Sequence, residues 1–223
     1  MLTYEEAKVT ILAHARAQEL EKVDFRNAVG RALAEDLIAL EDQPPFDNSA
    51  VDGYAVKLKE IAKATEENPV VLRCQEYIFA GRLDTISLQE GECVQVATGA
   101  PLPQGTEAVV MREQVVRKED QVYFSHPTKR GNNLRRRGRD MSIGDPLFRV
   151  GTTIAPTHLA LLAAQGLVEV PLHRSLKINI LSTGTELVDP IIKPGPGQIR
   201  EANSFLLEAL LQTEACKVTR LHR

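Results

Sequence analysis

Apolar positions change their spacing along the chain, and each change predicts a different element. From Thr3 the spacing is helical: Thr3 and Glu6 make the T-x-x-E sequence of a capping box, and Val9, Leu12 and Ala13 share one face of a helix reaching about Gln18. From Val23 to Leu40 the pattern is short and mixed, with a turn at Gly30 and an extended run from Leu37 to Leu40 that leads into Pro44 and Pro45. Between Pro69 and Phe124 the period becomes two. VVLRC, CVQVA, AVVMREQVV and QVYF are rich in β-branched residues and separated by Gly, Pro or charged turns, and RKED at 117–120 reads as a hairpin tip. Such strands predict a small barrel or sandwich. Helical spacing returns at THLALLAAQG, where Thr157 is the cap, Leu159, Leu162 and Ala163 share a face, and Gly166 supplies the left-handed stop. A strand at 167–171 follows. KINILS at 177–182, the turn TGTEL, the loop KPGPGQ, a helix from about Ser204 capped by Asn203, and the strand CKVTRL then make one βαβ unit.

The fold class read from this order is an α/β multidomain chain. Residues 1–53 and 131–174 form a mixed α+β domain, 54–130 a small barrel-like β domain inserted into it, and 175–223 the incomplete start of an α/β domain. One βαβ unit lacks the further strands a doubly wound sheet needs to bury both faces. Composition excludes several classes. With 223 residues, 43% hydrophobic and 26% charged, and a net charge of −3, the chain is globular rather than disordered or fibrous. No apolar run approaches the ~20 residues of a membrane span, and TYEEAK is not a signal segment, so no membrane partner and a cytoplasmic location are expected. Cys74, Cys93 and Cys216 are far apart and without a C-x-x-C arrangement, and the histidines are scattered, so neither a zinc site nor a disulfide framework is predicted.

Four segments carry candidate chemistry. PPFDNSAVDGYAV at 44–56 sets Asp47, Asn48, Ser49 and Asp52 behind two prolines and before Gly53, where a turn is expected; a turn alone needs fewer polar residues. TGAPLPQG at 98–105 is a stiff loop holding Thr98 at a strand end, or an ordinary connection between strands. KRGNNLRRRGRD at 129–140 places six basic residues before Asp140. Such a run is a solvated face, a polyanion patch or a site for a small oxyanion. The slightly acidic chain, with no aromatic among these arginines, argues against nucleic acid. STGTEL at 182–187 is a plain turn, or a hydroxyl and glycine turn at the carboxyl end of a parallel strand, where open α/β sheets bind ligands. Together they offer Asp47, Asp52, Asp140 and Glu186 with hydroxyls and arginines, an inventory that suits Mg²⁺-assisted phosphate chemistry and no sulfur-bound metal.

PPFDNSAVDGYAV, VATGAPLPQGTEAVVMRE, NNLRRRGRDMSIGD and INILSTGTELV, in this order, resemble the molybdopterin molybdenumtransferase family, the MoeA proteins and the gephyrin E domain. The resemblance implies insertion of molybdate into molybdopterin, with Mg²⁺-dependent hydrolysis of adenylylated molybdopterin and release of AMP. It implies catalytic roles for Asp52, Thr98, Asp140 and Glu186, with Asp52 and Glu186 as metal ligands. It also implies substrate binding by Asn48, Ser49, Arg136, Arg137, Ser182, Thr183 and Gly184. A homodimer, a molybdopterin adenylyltransferase as pathway partner, and a pterin-binding role for the α/β domain begun at 175 are implied as well. A scaffold or anion-binding module of the gephyrin type, without catalysis, is the alternative. Thr185, Val51 and Glu107 stand where the family commonly has an acid, Met and Asp. Members continue well past the equivalent of residue 223, so the chain is expected to be an N-terminal portion, inactive alone.

Overall fold

The computed structural model describes residues 2–82, 86–213 and 215–222. The first elements are α1 (Tyr4–His14), β1 (Leu20–Asp24), β2 (Gly53–Val56), α2 (Leu58–Ile61) and β3 (Val70–Ile78). There follow β4 (Glu92–Val96), β5 (Ala108–Met111), β6 (Val115–Lys118), β7 (Gln121–Phe124) and α3 (Pro156–Ala164). The chain continues with β8 (Glu169–His173), β9 (Leu176–Ser182), α4 (Asn203–Leu211) and β10 (Cys216–His222). It divides into two compact units, one made of Met1–Ile38 with Pro146–Arg223, the other of Ala39–Asp145.

The Ala39–Asp145 unit is built on a six-stranded sheet of order β5-β2-β4-β3-β7-β6, antiparallel except for β3 against β4. Its two edge strands, β5 and β6, are consecutive in the chain and joined only by the 3₁₀ turn Arg112–Gln114. So short a link between opposite edges requires the sheet to curl, which gives the half-barrel. Both faces are dry. Tyr54, Val56, Leu72, Cys93, Val110, Val122 and Phe124 form the core on one side, and Ala55, Ile78, Val94, Val96 and Val109 that on the other. Alternate residues of one strand thus serve opposite cores, which is why GYAV and AVVM read as unbroken apolar runs. The hairpin tip lies where expected, with Glu119 at φ 55° between β6 and β7.

Gly53 has a different reason from the turn expected there. It is the buried first residue of β2, and a Cβ built on it would stand 2.2 Å from the Val110 carbonyl oxygen and 2.9 Å from Val109 Cγ1. Only the missing side chain lets β2 lie this close to β5.

In the other unit β1 pairs antiparallel with β8, Leu37–Ile38 with Pro146–Phe148, and β9 runs parallel to β10 with α4 as the crossover, the predicted βαβ unit. Ala28, Leu33, Leu37, Ile154, Leu162, Val170 and Leu172 form its core. The helices correct four readings. The capping box of α1 is present, with Glu6 N–H donating to Thr3 Oγ1 at 3.3 Å and Thr3 N–H to Glu6 Oε2 at 2.8 Å, but the helix ends at His14 and buries none of its residues. Thr157 does not cap α3: Pro156 takes the first helical position, where its missing N–H costs nothing, and Ala155 N–H donates to His158 Nδ1. Its inward face carries the buried Leu162 and the half-buried Leu159, with Ala163 exposed. Gly166 does end it: Leu167 N–H donates to Leu162 O and Gly166 N–H to Ala163 O. Asn203 does not cap α4 either; Glu201 does, accepting from Ser204 N–H at 2.7 Å.

Gly53→Ala is expected to destabilise the chain by about 2 kcal/mol, the range for forcing an atom into a packed interior, in urea unfolding followed by circular dichroism. A loss under about 0.5 kcal/mol, the level of an indifferent substitution, would mean that β2 and β5 separate easily.

Candidate active site

Three of the four candidate segments lie in the Ala39–Asp145 unit, on loops that cover one face of the curled sheet. Asn48–Ser49 is the centre of a narrow three-ply arrangement. On one side it pairs with Leu134–Arg135. On the other, Ser49 N–H donates to Ala100 O at 3.1 Å, Gly99 N–H to Ser49 O at 2.8 Å and Leu102 N–H to Asp47 O at 3.2 Å. Val51, Ala97, Ala100, Leu102 and Leu134 turn inward and pack on the sheet core beneath. The apolar residues among these polar motifs therefore anchor the loops, and the polar ones are left for the surface.

At that surface stand Asp52 and Thr98. Thr98 donates twice to Asp52 Oδ1, from its backbone N–H at 2.7 Å and its hydroxyl at 2.9 Å. These bonds, the backbone one first, hold the Asp52 carboxyl below its usual range, with the Arg112 guanidinium adding to them. Oδ2 has no hydrogen bond among the described residues, and Arg112 Nη1 lies 4.0 Å from it; the side chain is half exposed. Asp52 is thus an anion fixed by one oxygen and open at the other.

The basic run folds back on acidic partners. Arg135 pairs with Asp140 at 2.5 Å, Arg136 with Asp47, Arg137 Nε with Asp42 at 2.5 Å, and Arg130 with Glu107 at 2.6 Å. Backbone donors complete the seams: Arg137 N–H to Asp47 Oδ1 at 2.8 Å and Ile143 N–H to Asp42 Oδ1 at 2.9 Å. Burial works to raise the Asp47 pKa, but Arg137 N–H and the Arg136 guanidinium together leave it lowered; Asp42 is lowered by Ile143 N–H first and Arg137 second. Four of the six clustered cations are therefore paired with carboxylates, and two of these, Arg136 and Arg137, clasp the segment at 42–47.

The structure brings Asp52 to Thr98, and Asp140 and Arg136 to the same group of loops. Asn48 and Ser49 lie beneath the surface, the Ser49 hydroxyl donating to Val51 O at 2.6 Å, while Asn48 Oδ1 is buried without a hydrogen-bond partner among the described residues. Ser182, Thr183, Gly184 and Glu186 belong to the other unit. There Ser182 and Thr183 line a cleft of about 390 Å³ at the carboxyl end of β9, shared with Leu187, Glu201, Asn203 and Ser204. The Glu186 carboxylate folds over Gly184, where a Cβ would come within 2.5 Å of Oε2. Glu201 is buried and accepts from the Ser204 backbone and hydroxyl, which holds its pKa down, with Ser182 and the Asn203 N–H contributing. Glu201, Arg112 and Asp42 were missed by sequence reasoning. An acid two residues before Asn203 was the available signal for Glu201; nothing local marks the other two.

The fold and site define a mixed α/β protein whose curled sheet carries a carboxylate and hydroxyl site on its covering loops. The family described as MoeA N-terminal region (domain I and II) matches residues 2–166, and the chain belongs to the MoeA family. It is 38% identical to a molybdopterin molybdenumtransferase of Haemophilus influenzae over 98% of this chain and 53% of that protein. It is 36% identical to one of Synechococcus elongatus over 98% of this chain and 55% of that one. A crystal structure of the MoeA molybdopterin biosynthesis protein of Pyrococcus horikoshii superposes with a TM-score of 0.88 at 35% identity, covering 100% of this chain and 60% of that one. The chain spans about half the length of the curated relatives it matches.

Because the folded pKa values of Asp42, Asp47 and Asp52 lie below their unfolded values, the ionised carboxylates stabilise the loops above about pH 4, and that stabilisation is lost as pH falls through each folded pKa. The amide protons of Ile143, Arg137 and Thr98 should accordingly titrate by NMR with midpoints below about 3.9; midpoints at or above that value would show that the carboxylates are not held. Arg137→Ala should lower the unfolding temperature measurably, since it removes a partner of Asp42, whereas Arg139→Ala should leave it nearly unchanged. Equal losses in thermal unfolding would contradict the clasp role.

Proposed function

We propose that this chain is the N-terminal part of a molybdopterin molybdenumtransferase, which transfers molybdate to the dithiolene of molybdopterin as adenylylated molybdopterin is hydrolysed. Full-length family relatives bearing that name, matched across nearly the whole chain, support the class. The observation that carries it to the site is the Asp52–Thr98 pair, an ionised carboxylate locked at one oxygen and exposed at the other.

In this reading water attacks the phosphoanhydride: a new P–O bond forms, the anhydride P–O bond breaks, and AMP leaves. Both dithiolene sulfurs then bond to molybdenum, and one oxo ligand departs as water with the two thiol protons, without change of oxidation state. Asp52, lowered in pKa, is a weak base, so its part is to hold and orient through Oδ2 rather than to remove a proton. Thr98 fixes the carboxylate, and Arg136 and Arg137 hold the loop beneath it through Asp47 and Asp42. Ser182 and Thr183 line the cleft of the other unit, which in this reading takes the pterin phosphate with Gly184 in the adjoining turn and Glu186 as its exposed acid. Asp140 holds Arg135 in place.

No group of three His, Cys, Asp or Glu among the described residues forms a metal cage. Mg²⁺ needs only one or two carboxylates and keeps water and substrate phosphate as further ligands, and the open oxygen of Asp52 fits that demand. Bound there, the ion would neutralise developing phosphate charge. The reading extends to a homodimer supplied by an adenylyltransferase.

The test is molybdenum insertion from adenylylated molybdopterin, measured on the chain extended to the length of its relatives. Asp52→Ala and Glu186→Ala should each lower turnover at least about a hundredfold, with cooperative unfolding retained. Turnover near the parent's in either variant would remove that residue from the reaction, and no insertion by the extended parent would overturn the reading.

A further inference from the structure

The open oxygen of Asp52 does not face free solvent alone. Arg112 is the first residue of the 3₁₀ turn that closes the curled sheet, and its N–H donates to the Asp52 carbonyl at 3.1 Å, so the root of its side chain is tied to Asp52 by the backbone. Its Nε is bonded to Glu113 Oε1 at 3.0 Å, which aims the guanidinium, and Nη1 stands 4.0 Å from Asp52 Oδ2. Thr98 has already taken Oδ1 with two donors. Any cation that bonds to this carboxylate must therefore use Oδ2 and must do so beside a fixed positive charge.

We propose that Arg112 is the resident counter-ion of Asp52 and competes with a divalent cation for its free oxygen, so that Arg112 sets how weakly the chain holds such a cation. This rests on the reading of Asp52 as a cation ligand and not on any turnover. A divalent ion at bonding distance from Oδ2 would lie about 6 Å from the guanidinium, and the repulsion of two charges against one at that range in a water-rich setting is worth about tenfold in affinity. Loss of the guanidinium would also leave the Glu113 carboxylate unpaired beside Asp52, and the two acids already sense each other.

Mn²⁺ binding to the 223-residue chain, followed by water-proton relaxation, tests this directly. Arg112→Gln should tighten binding about tenfold, and Arg112→Lys, which keeps the charge, should not. Adding Asp52→Asn to Arg112→Gln should abolish the gain, and adding Glu113→Gln should leave most of it. Unchanged affinity in Arg112→Gln, including no measurable binding in any variant, overturns the proposal. So does a gain that survives Asp52→Asn or vanishes with Glu113→Gln. Because the readout is ion binding, failure of molybdenum insertion leaves the result intact, and a negative result here leaves the transferase reading standing.

Discussion

Aspartate side chains accepting backbone N–H groups are the bonds on which the candidate site depends. The loops at 42–52 and 136–145 contain little regular structure, so their backbone donors have few ladder partners. Asp42 takes the Ile143 N–H, Asp47 that of Arg137 and Asp52 that of Thr98. A charged acceptor makes a shorter and stronger bond than a carbonyl does, and each of these bonds joins segments tens of residues apart. Irregular loops thereby acquire the rigidity that a binding surface needs.

Those loops would still have no fixed position without the sheet beneath them. Val51, Ala97, Ala100 and Leu102 seat them on the core lined by Val94, Val96 and Val109. The sheet in turn closes because β2 can approach β5 at Gly53 and because three residues suffice to join its two edges. Packing and polar satisfaction thus meet within PPFDNSAVDGYAV: its apolar residues bind it downward, Asp47 binds it sideways to the arginine run, and Asp52 binds it to Thr98.

Electrostatics separates two kinds of charge in this unit. Arg130, Arg135, Arg136 and Arg137 each have a carboxylate partner within the loops, so the field that a run of basic residues would project is mostly cancelled at short range. At Asp52 what remains open is small and specific: one carboxylate oxygen, with Arg112 beside it. A ligand meeting the surface there encounters a polarised pair.

The amino-acid pattern by itself determined the element types, since these follow from local periodicity: the capping box of α1, the period-2 strands, the hairpin at 117–120, the Gly166 stop and the βαβ unit were all legible. The ordered motifs were enough to identify the family, and two of the candidates they offered, Asp52 and Thr98, are bonded to each other in the fold. The caps of α3 and α4 were misread because Pro156 and Glu201, one by its fixed backbone and the other by reach, outcompete the residue type favoured locally. Only the tertiary structure decided why Gly53 is glycine, since the carbonyl it admits comes from Val110, and which of the six basic residues are neutralised, since the carboxylates that pair with four of them lie up to 95 positions away. Periodicity records which face of an element is buried; it holds no record of which distant backbone or carboxylate the fold brings against it.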